Sequence, residues 1–374
     1  MSKFVKSLMC LLLISYEAFA IESSSQTESN AASLTYWLPE ELNQPKSLEH
    51  FQTVVSSNAH GLENTNDAIK IALIYPSADL SDFWSRNYHA LTSRLNDLRI
   101  AYTIDEFSSR QIDHALQTYY TDQVLAKEEA YDYVIFGPSE LSVQADNIQR
   151  LASSEAFKTY IWAFHTPMKN WTHQPDAWFD FSSAKGAAAL CDFVIKQLGN
   201  DVFYAMNRGI PGITDDQRSG DFKACVTERG NWLNLYEHFG QYQATGGRDG
   251  VELVIQSFPE VTMLHNANTA MTLGALEYLQ EQGLQQQLFV TGWGGTAAEI
   301  ELIKSGDLSA TPMRMGDDVG VATAEAIKFD LLGKSDQVPQ IYLGRIEVVD
   351  KSMSNEQIDK LTAEAFRYSG VENE

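Results

Sequence analysis

From Ile69 onward the chain alternates short apolar runs with longer amphipathic stretches. The runs Ile71-Ala72-Leu73-Ile74, Tyr133-Val134-Ile135-Phe136, Thr159-Tyr160-Ile161-Trp162, Val202-Phe203-Tyr204-Ala205 and Leu288-Phe289-Val290-Thr291 are continuously apolar and too short for helices. They predict strands of parallel sheet, buried on both faces and linked by crossover helices. The clearest helix is written in Trp84, Tyr88, Leu91, Leu95 and Leu98, which share one face, with Ser81 as N-cap and Asp82 at the positive end of the dipole. A late helix begins at Asp317 or Asp318, carries Ala322, Ala326 and Ile327, and stops at Gly333 in the left-handed region. So many βα units exceed one sheet. The pattern predicts an α/β protein of two doubly wound parallel-sheet lobes, with a ligand between them at the carboxyl ends of the strands.

The first 67 residues break this rhythm. Lys3 and Lys6 precede an apolar stretch between Ser7 and Ser15, and Ala18-Phe19-Ala20 closes it, which reads as a secretory leader (residues 1–20) cut after Ala20. A buried N-terminal helix is the alternative. The stretch is far short of the ~20 residues a membrane-spanning helix needs. Residues 21–67 read as a polar extension whose Tyr36 and Trp37 dock on the body, with disorder elsewhere. The body then divides into lobe 1 (68–182 plus 316–336) and lobe 2 (183–315 plus 337–374). Cutting the leader removes Cys10 and leaves Cys191 and Cys225 in an oxidising compartment, where a disulfide and two buried free thiols both fit.

Charge narrows the partners. Lys and Arg total 27 against 50 Asp and Glu in 374 residues, a net charge of −23, so a phosphate backbone is repelled and nucleic acid is excluded as a partner. The chain has no Gly-x-Ser-x-Gly, phosphate loop, His-Glu-x-x-His or Cys-x-x-Cys. Gly292-Trp293-Gly294-Gly295 does not complete a dinucleotide turn, and His165 reads as a loop hydrogen-bonder. Binding, not catalysis, is expected, with neither cofactor nor metal.

The residues just past the predicted strand ends are the informative ones: Asp79, Ser81 and Trp84 after the first strand, then Thr269, Trp293 and Arg314. Indole faces, hydroxyls and a guanidinium suit a small polyhydroxylated ligand, although Trp84 equally fits a core stripe and Arg314 a hinge brace. The segment Met313-Arg314-Met315-Gly316 is expected to act as a hinge, with Gly316 absorbing the rotation.

Several blocks are more specific. Tyr75-Pro76, Ser81-Asp82-Phe83-Trp84-Ser85-Arg86-Asn87, Gly292 to Gly295, Met313-Arg314-Met315-Gly316-Asp317-Asp318, Ala324-Glu325-Ala326-Ile327-Lys328 and Ala365-Phe366-Arg367-Tyr368-Ser369 resemble the periplasmic autoinducer-2 receptors of vibrios. Those receptors are type I, ribose-binding-like periplasmic binding proteins, and the likeness is collinear over roughly residues 34 to 369. The resemblance implies two lobes joined by three crossovers and signalling through a hybrid sensor kinase of the inner membrane. A relative of the same fold class would instead deliver a sugar to an ABC permease. It also implies ligand contacts from Ser81, Trp84, Thr269 and Trp293, and two borate-binding arginines at Arg218 and Arg314. Placing Arg218 requires a one-residue gap, because Arg218-Ser219-Gly220-Asp221 stands where the family has Arg-Gly-Asp. Four positions depart: Asp79 for Gln, Gly137 for Thr, Ala163 for Asn and Ala270 for Asp. The last three remove hydroxyl partners worth about 0.5–1.5 kcal/mol each, and the Asp79 carboxylate is expected to turn the site from a borate ester toward a neutral polyol.

Overall fold

The computed structural model describes residues 36–37, 39–42, 45–63, 67–77, 83–110, 113–162 and 167–370. The leader and its cleavage site, Asp79, Ser81, Ala163 and His165 lie outside the described residues. Two six-stranded sheets form the body. The first contains β1 (Ile69–Pro76), β2 (Tyr102–Ser109), β3 (Tyr133–Phe136), β4 (Lys158–Trp162), β5 (Ala177–Phe181) and β11 (Ile341–Gly344), all parallel, in the order 11-5-4-3-1-2. The second contains β6 (Phe203–Arg208), β7 (Leu233–Phe239), β8 (Met263–Asn266), β9 (Phe289–Thr291), β10 (Ala310–Arg314) and β12 (Ile346–Asp350), in the order 12-10-9-8-6-7. Continuous apolar runs form these strands because both faces are covered: Ile71 and Leu73 pack into one core, and Ala72 and Ile74 into the opposite one. No helix among the described residues is long and apolar enough to cross a membrane.

Three passages join the lobes: residues 181–183, residues 314–318, and the single residue Arg345 between β11 and β12. The last corrects the expected boundary, which placed residues 337–344 in lobe 2. β11 pairs with β5 in the first sheet, and the chain enters the second sheet only at Ile346. β12 therefore leads away from the hinge while β10 runs toward it, which makes β12 the one antiparallel strand of its sheet. Gly316 does not stand in the left-handed region; a Cβ there would lie 2.7 Å from the Phe366 ring, so close approach of the C-terminal segment accounts for this glycine.

The late helix spans Asp318–Leu331 and ends before Gly333 at φ +66. Cys191 and Cys225 are joined in a disulfide that ties helix Ser183–Leu198 to helix Asp221–Gly230. In the extension, Tyr36 bridges Met168 and the Trp37 N–H donates to the Pro167 carbonyl at 2.9 Å. The polar composition concealed a further element. Helix Pro45–Ser56 sends Phe51 and Val55 fully into the first lobe, with Phe51 edge-on to Tyr342 at 5.5 Å. Two apolar residues suffice because Phe329 and Tyr342 supply the receiving surface.

The C-terminal Phe366-Arg367-Tyr368-Ser369 leaves lobe 2 and is pinned to lobe 1. Buried Asp317 accepts the N–H groups of Tyr368 at 2.7 Å and Ser369 at 3.0 Å, and Tyr368 donates its hydroxyl to Asp97 at 2.8 Å.

Candidate functional site

The cleft lies at the carboxyl ends of both sheets, where open α/β sheets hold ligands. On the lobe 1 side stand Phe83, first residue of helix Phe83–Asp97, and Phe181, last residue of β5, with ring centroids 6.4 Å apart. Arg314, last residue of β10, holds its guanidinium 5.7 Å from the Phe83 ring and 5.8 Å from the Phe181 ring. These three residues line a cavity with Gly294, Thr296 and Gly316.

Arg218 enters from lobe 2 on a π-helical turn, Asp216–Gly220. A π turn takes up one residue more than an α turn, so the position of Arg218 depends on the length of this segment. The turn is anchored from below. Ser219 is buried and donates to Asp215 at 3.0 Å, and Asp215 also accepts the Gly209 N–H at 2.7 Å and pairs with Arg208 at 2.7 Å. The Arg218 guanidinium lies 5.9 Å from the Tyr242 ring and 5.7 Å from the Trp293 ring, donating from Nη1 to the Ala267 carbonyl at 3.2 Å. Its Nε has no hydrogen-bond partner among the described residues. Burial, chiefly, lowers its pKa to about 10, with the Arg314 charge adding to the effect, so it remains a cation at neutral pH.

The Gly292–Gly295 loop is shaped by a buried acid. Glu299 accepts the N–H groups of Trp293 at 3.1 Å and Gly295 at 2.8 Å and the Thr311 hydroxyl at 2.8 Å. Gly294 has φ +126, which favours glycine; a Cβ there would sit 3.4 Å from Thr269 Oγ1 and 3.9 Å from Arg314 Nη2. Thr269 and Arg314 thus converge on one small space. Beneath it His265 stacks on Phe222 at 4.7 Å, faces the Trp293 edge, and has Thr291 Oγ1 3.1 Å from Nδ1. Burial lowers its pKa to about 3, so the ring is neutral.

The structure brings Arg218 and Thr269 close to Trp293 and sets Arg314 across Gly294 from Thr269; Trp293 is itself buried in the lobe 2 core and is not among the residues lining the cavity. Trp84 is also fully buried and packs in the lobe 1 core, as the core-stripe reading of its spacing has it. Its ring occupies the space above Gly137, where a Cβ would lie only 2.4 Å away, and Phe83 faces the cavity in its stead. Gly137 is therefore the residue that lets Trp84 sink. A second acid escaped the sequence pattern. Asp180 precedes Phe181 at the end of β5 and is 6% exposed; burial raises its pKa well above the ordinary value, against the Phe181 N–H and the charges of Arg314 and Arg218. The Ala177–Phe181 run was not among the predicted strands, so the rule that flags strand ends had nothing to act on there. No cluster of metal-ligating side chains occurs among the described residues.

A family profile described as the periplasmic binding protein domain matches residues 71–335. The ribose import binding proteins RbsB of Bacillus subtilis and Salmonella typhimurium are 25% identical over 155 residues and 26% over 147, which is 41% and 39% of this chain. The matches span about half the length of those relatives, 50% and 49%. An ABC transporter solute-binding protein from Bacillus halodurans C-125 with bound myo-inositol superposes with a TM-score of 0.66 at 18% identity, over 80% of this chain and 100% of the other. One from Actinobacillus succinogenes with bound D-allose gives 0.65 at 17% identity, over 78% and 99%. These likenesses agree with the two-lobed topology and its interlobe cleft. With the profile matching well over half of the chain, the chain belongs to the periplasmic binding protein domain family.

Proposed function

We propose that this protein is a periplasmic receptor of the ribose-binding type that closes on a small polyhydroxylated ligand and delivers it to an ABC permease. The observation that carries this is the convergence of Arg314, Phe83 and Phe181 on one interlobe cavity, with the Arg218 charge near enough to act on Arg314. Ring faces cover the apolar faces of a sugar, and the two guanidiniums present fixed forks of donors to its oxygens. Lobe 2 supplies Arg218 and Thr269 while lobe 1 supplies the phenyl rings, so a full set of contacts exists only when the lobes are closed. Ligand binding then biases closure, because the closed form alone binds with both halves. Export through the leader at residues 1–20 delivers the chain to the periplasm, and intact-mass analysis of a periplasmic extract should find it starting at Ile21.

A second function is favoured by one feature, the presence of two arginines in the same cleft at the positions that resemble those of LuxP, the autoinducer-2 receptor. In that case the loaded protein signals to a hybrid sensor kinase. Co-purification separates the two: recovery of a permease supports delivery, and recovery of a sensor kinase ectodomain overturns it. Arg218→Ala and Arg314→Ala should each weaken the bound ligand at least tenfold, about 1.4 kcal/mol. Unchanged calorimetric constants in both would remove the cleft from the account.

A further inference from the structure

We propose that the C-terminal segment Phe366–Gly370 is a fourth, non-covalent connection between the lobes, a latch that limits how far the cleft opens. Helix Asn355–Ala365 belongs to lobe 2, where Ile358, Ala365 and Phe366 enter the core. The next residue already stands on lobe 1. Arg367 donates from Nη2 to the Val55 carbonyl at 2.8 Å, near the end of helix Pro45–Ser56, and Tyr368 packs against the lobe 1 core. Asp317, buried at the head of helix Asp318–Leu331, holds the N–H groups of Tyr368 and Ser369. Arg86 of helix Phe83–Asp97 completes the grip. Its Nη1 donates to the Ser369 hydroxyl at 3.2 Å and to the Gly370 carbonyl at 2.6 Å, while its guanidinium lies 4.7 Å from the Phe366 ring. Arg86 and Phe366 both line the cavity, the first from lobe 1 and the second from the core of lobe 2.

The tether has no slack. Phe366 and Tyr368 are two residue steps apart, a reach of about 7 Å fully extended. Separating the lobes here has to draw the Phe366 ring out of the lobe 2 core or strip Tyr368 and Ser369 from the buried Asp317 carboxylate, and both moves are opposed. The same segment is stitched to two of the three covalent passages. Glu364 accepts from Arg345 Nη2 at 2.5 Å, and the Ala365 carbonyl accepts the Asp317 N–H at 2.9 Å. The covalent passages permit rotation, and the latch restricts its range.

Small-angle scattering of protein refolded free of ligand tests this with two variants. A chain ending at Phe366 keeps the ring in lobe 2 and removes every lobe 1 anchor; a Gly-Gly insertion between Phe366 and Arg367 keeps all anchors and adds slack. Each variant that melts cooperatively should have a larger radius of gyration than wild type, and a wild-type radius in either overturns the proposal. Should the shortened chain not fold, the insertion decides. Hydrogen exchange on the wild-type protein needs no variant: the Tyr368 and Ser369 amides should exchange far more slowly than those of an open chain, and open-chain exchange at these two positions overturns the latch. Neither measurement uses a ligand, so failure of the latch leaves the binding role of the cleft to be judged on its own tests.

Discussion

The two lobes share one strand order, apart from the reversed direction of β12, and differ in what they bring to the cleft and in what holds them. Lobe 1 presents phenyl rings, Phe83 and Phe181, backed by the buried Trp84. Lobe 2 presents polar groups, Arg218 and Thr269, backed by His265 and by Asn207, whose Nδ2 donates to Asn266 at 2.8 Å. Lobe 1 is braced by a buried ion pair, Arg94 to Glu325 at 2.6 Å, joining helix Phe83–Asp97 to helix Asp318–Leu331. Lobe 2 is braced by the Cys191–Cys225 disulfide. An apolar plate needs only packing to stay in place, whereas a charged group aimed into a cleft needs its backbone fixed. Lobe 2 accordingly carries the π turn, the Asp215 hub and a covalent tie behind Arg218.

The contrast can be broken lobe by lobe. The largest effect is expected from Glu325→Ala, which strands the fully buried Arg94 guanidinium; loss of one partner of such a pair costs about 3–5 kcal/mol. Denaturant unfolding followed by hydrogen exchange should show lobe 1 opening first, and uniform destabilisation of both lobes would contradict the separate braces. Next comes removal of the disulfide by Cys191→Ser with Cys225→Ser, expected to cost about 2–4 kcal/mol for closing a loop of this class. The loss should appear in lobe 2 amides and leave the lobe 1 core untouched. Deleting Ser219 should close the π turn to an ordinary α turn, rotate Arg218 by about 100°, and weaken binding at least tenfold, about 1.4 kcal/mol, with the melting temperature changed less than by disulfide loss. Normal affinity in that variant would show that the turn does not aim Arg218.

The smallest effect is a pH slope. His265 is held neutral at about 3 in the folded protein against an ordinary value of 6.5, so the unfolded chain binds the proton first. Its contribution is complete above about pH 6.5 and declines as the pH falls toward 3. His265→Gln should flatten that part of the stability curve; an unaltered slope would place the acid sensitivity elsewhere.

Strands and helices were legible because a doubly wound sheet writes itself as alternating apolar runs, and the run Ile71 to Ile74 and the stripe Trp84 to Leu98 needed no further context. The lobe 1 site was less legible. Trp84 reads equally as a ligand ring and as core, and what decides is Gly137, more than 50 residues away in sequence, whose missing side chain opens the space it fills. Asp180 sits inside the short run Ala177–Phe181, where one acid interrupts the apolar pattern and hides the strand that carries Phe181 to the cavity. On lobe 2, Arg218 is expected from motif likeness alone, and no residue pattern announces the π turn on which it stands. Helix Pro45–Ser56 was missed because its apolar face consists of few residues and depends on a distant aromatic surface.

The central claim is that the two lobes clamp one small polyhydroxylated, neutral molecule. Native mass spectrometry of protein refolded free of ligand tests it most directly, with D-allose, myo-inositol, a panel of pentoses, and autoinducer-2 offered with and without borate. The predicted result is a one-to-one complex whose added mass is that of a neutral polyol and whose yield does not rise with borate. A complex that forms only when borate is present, with the mass of the borate diester, would contradict it.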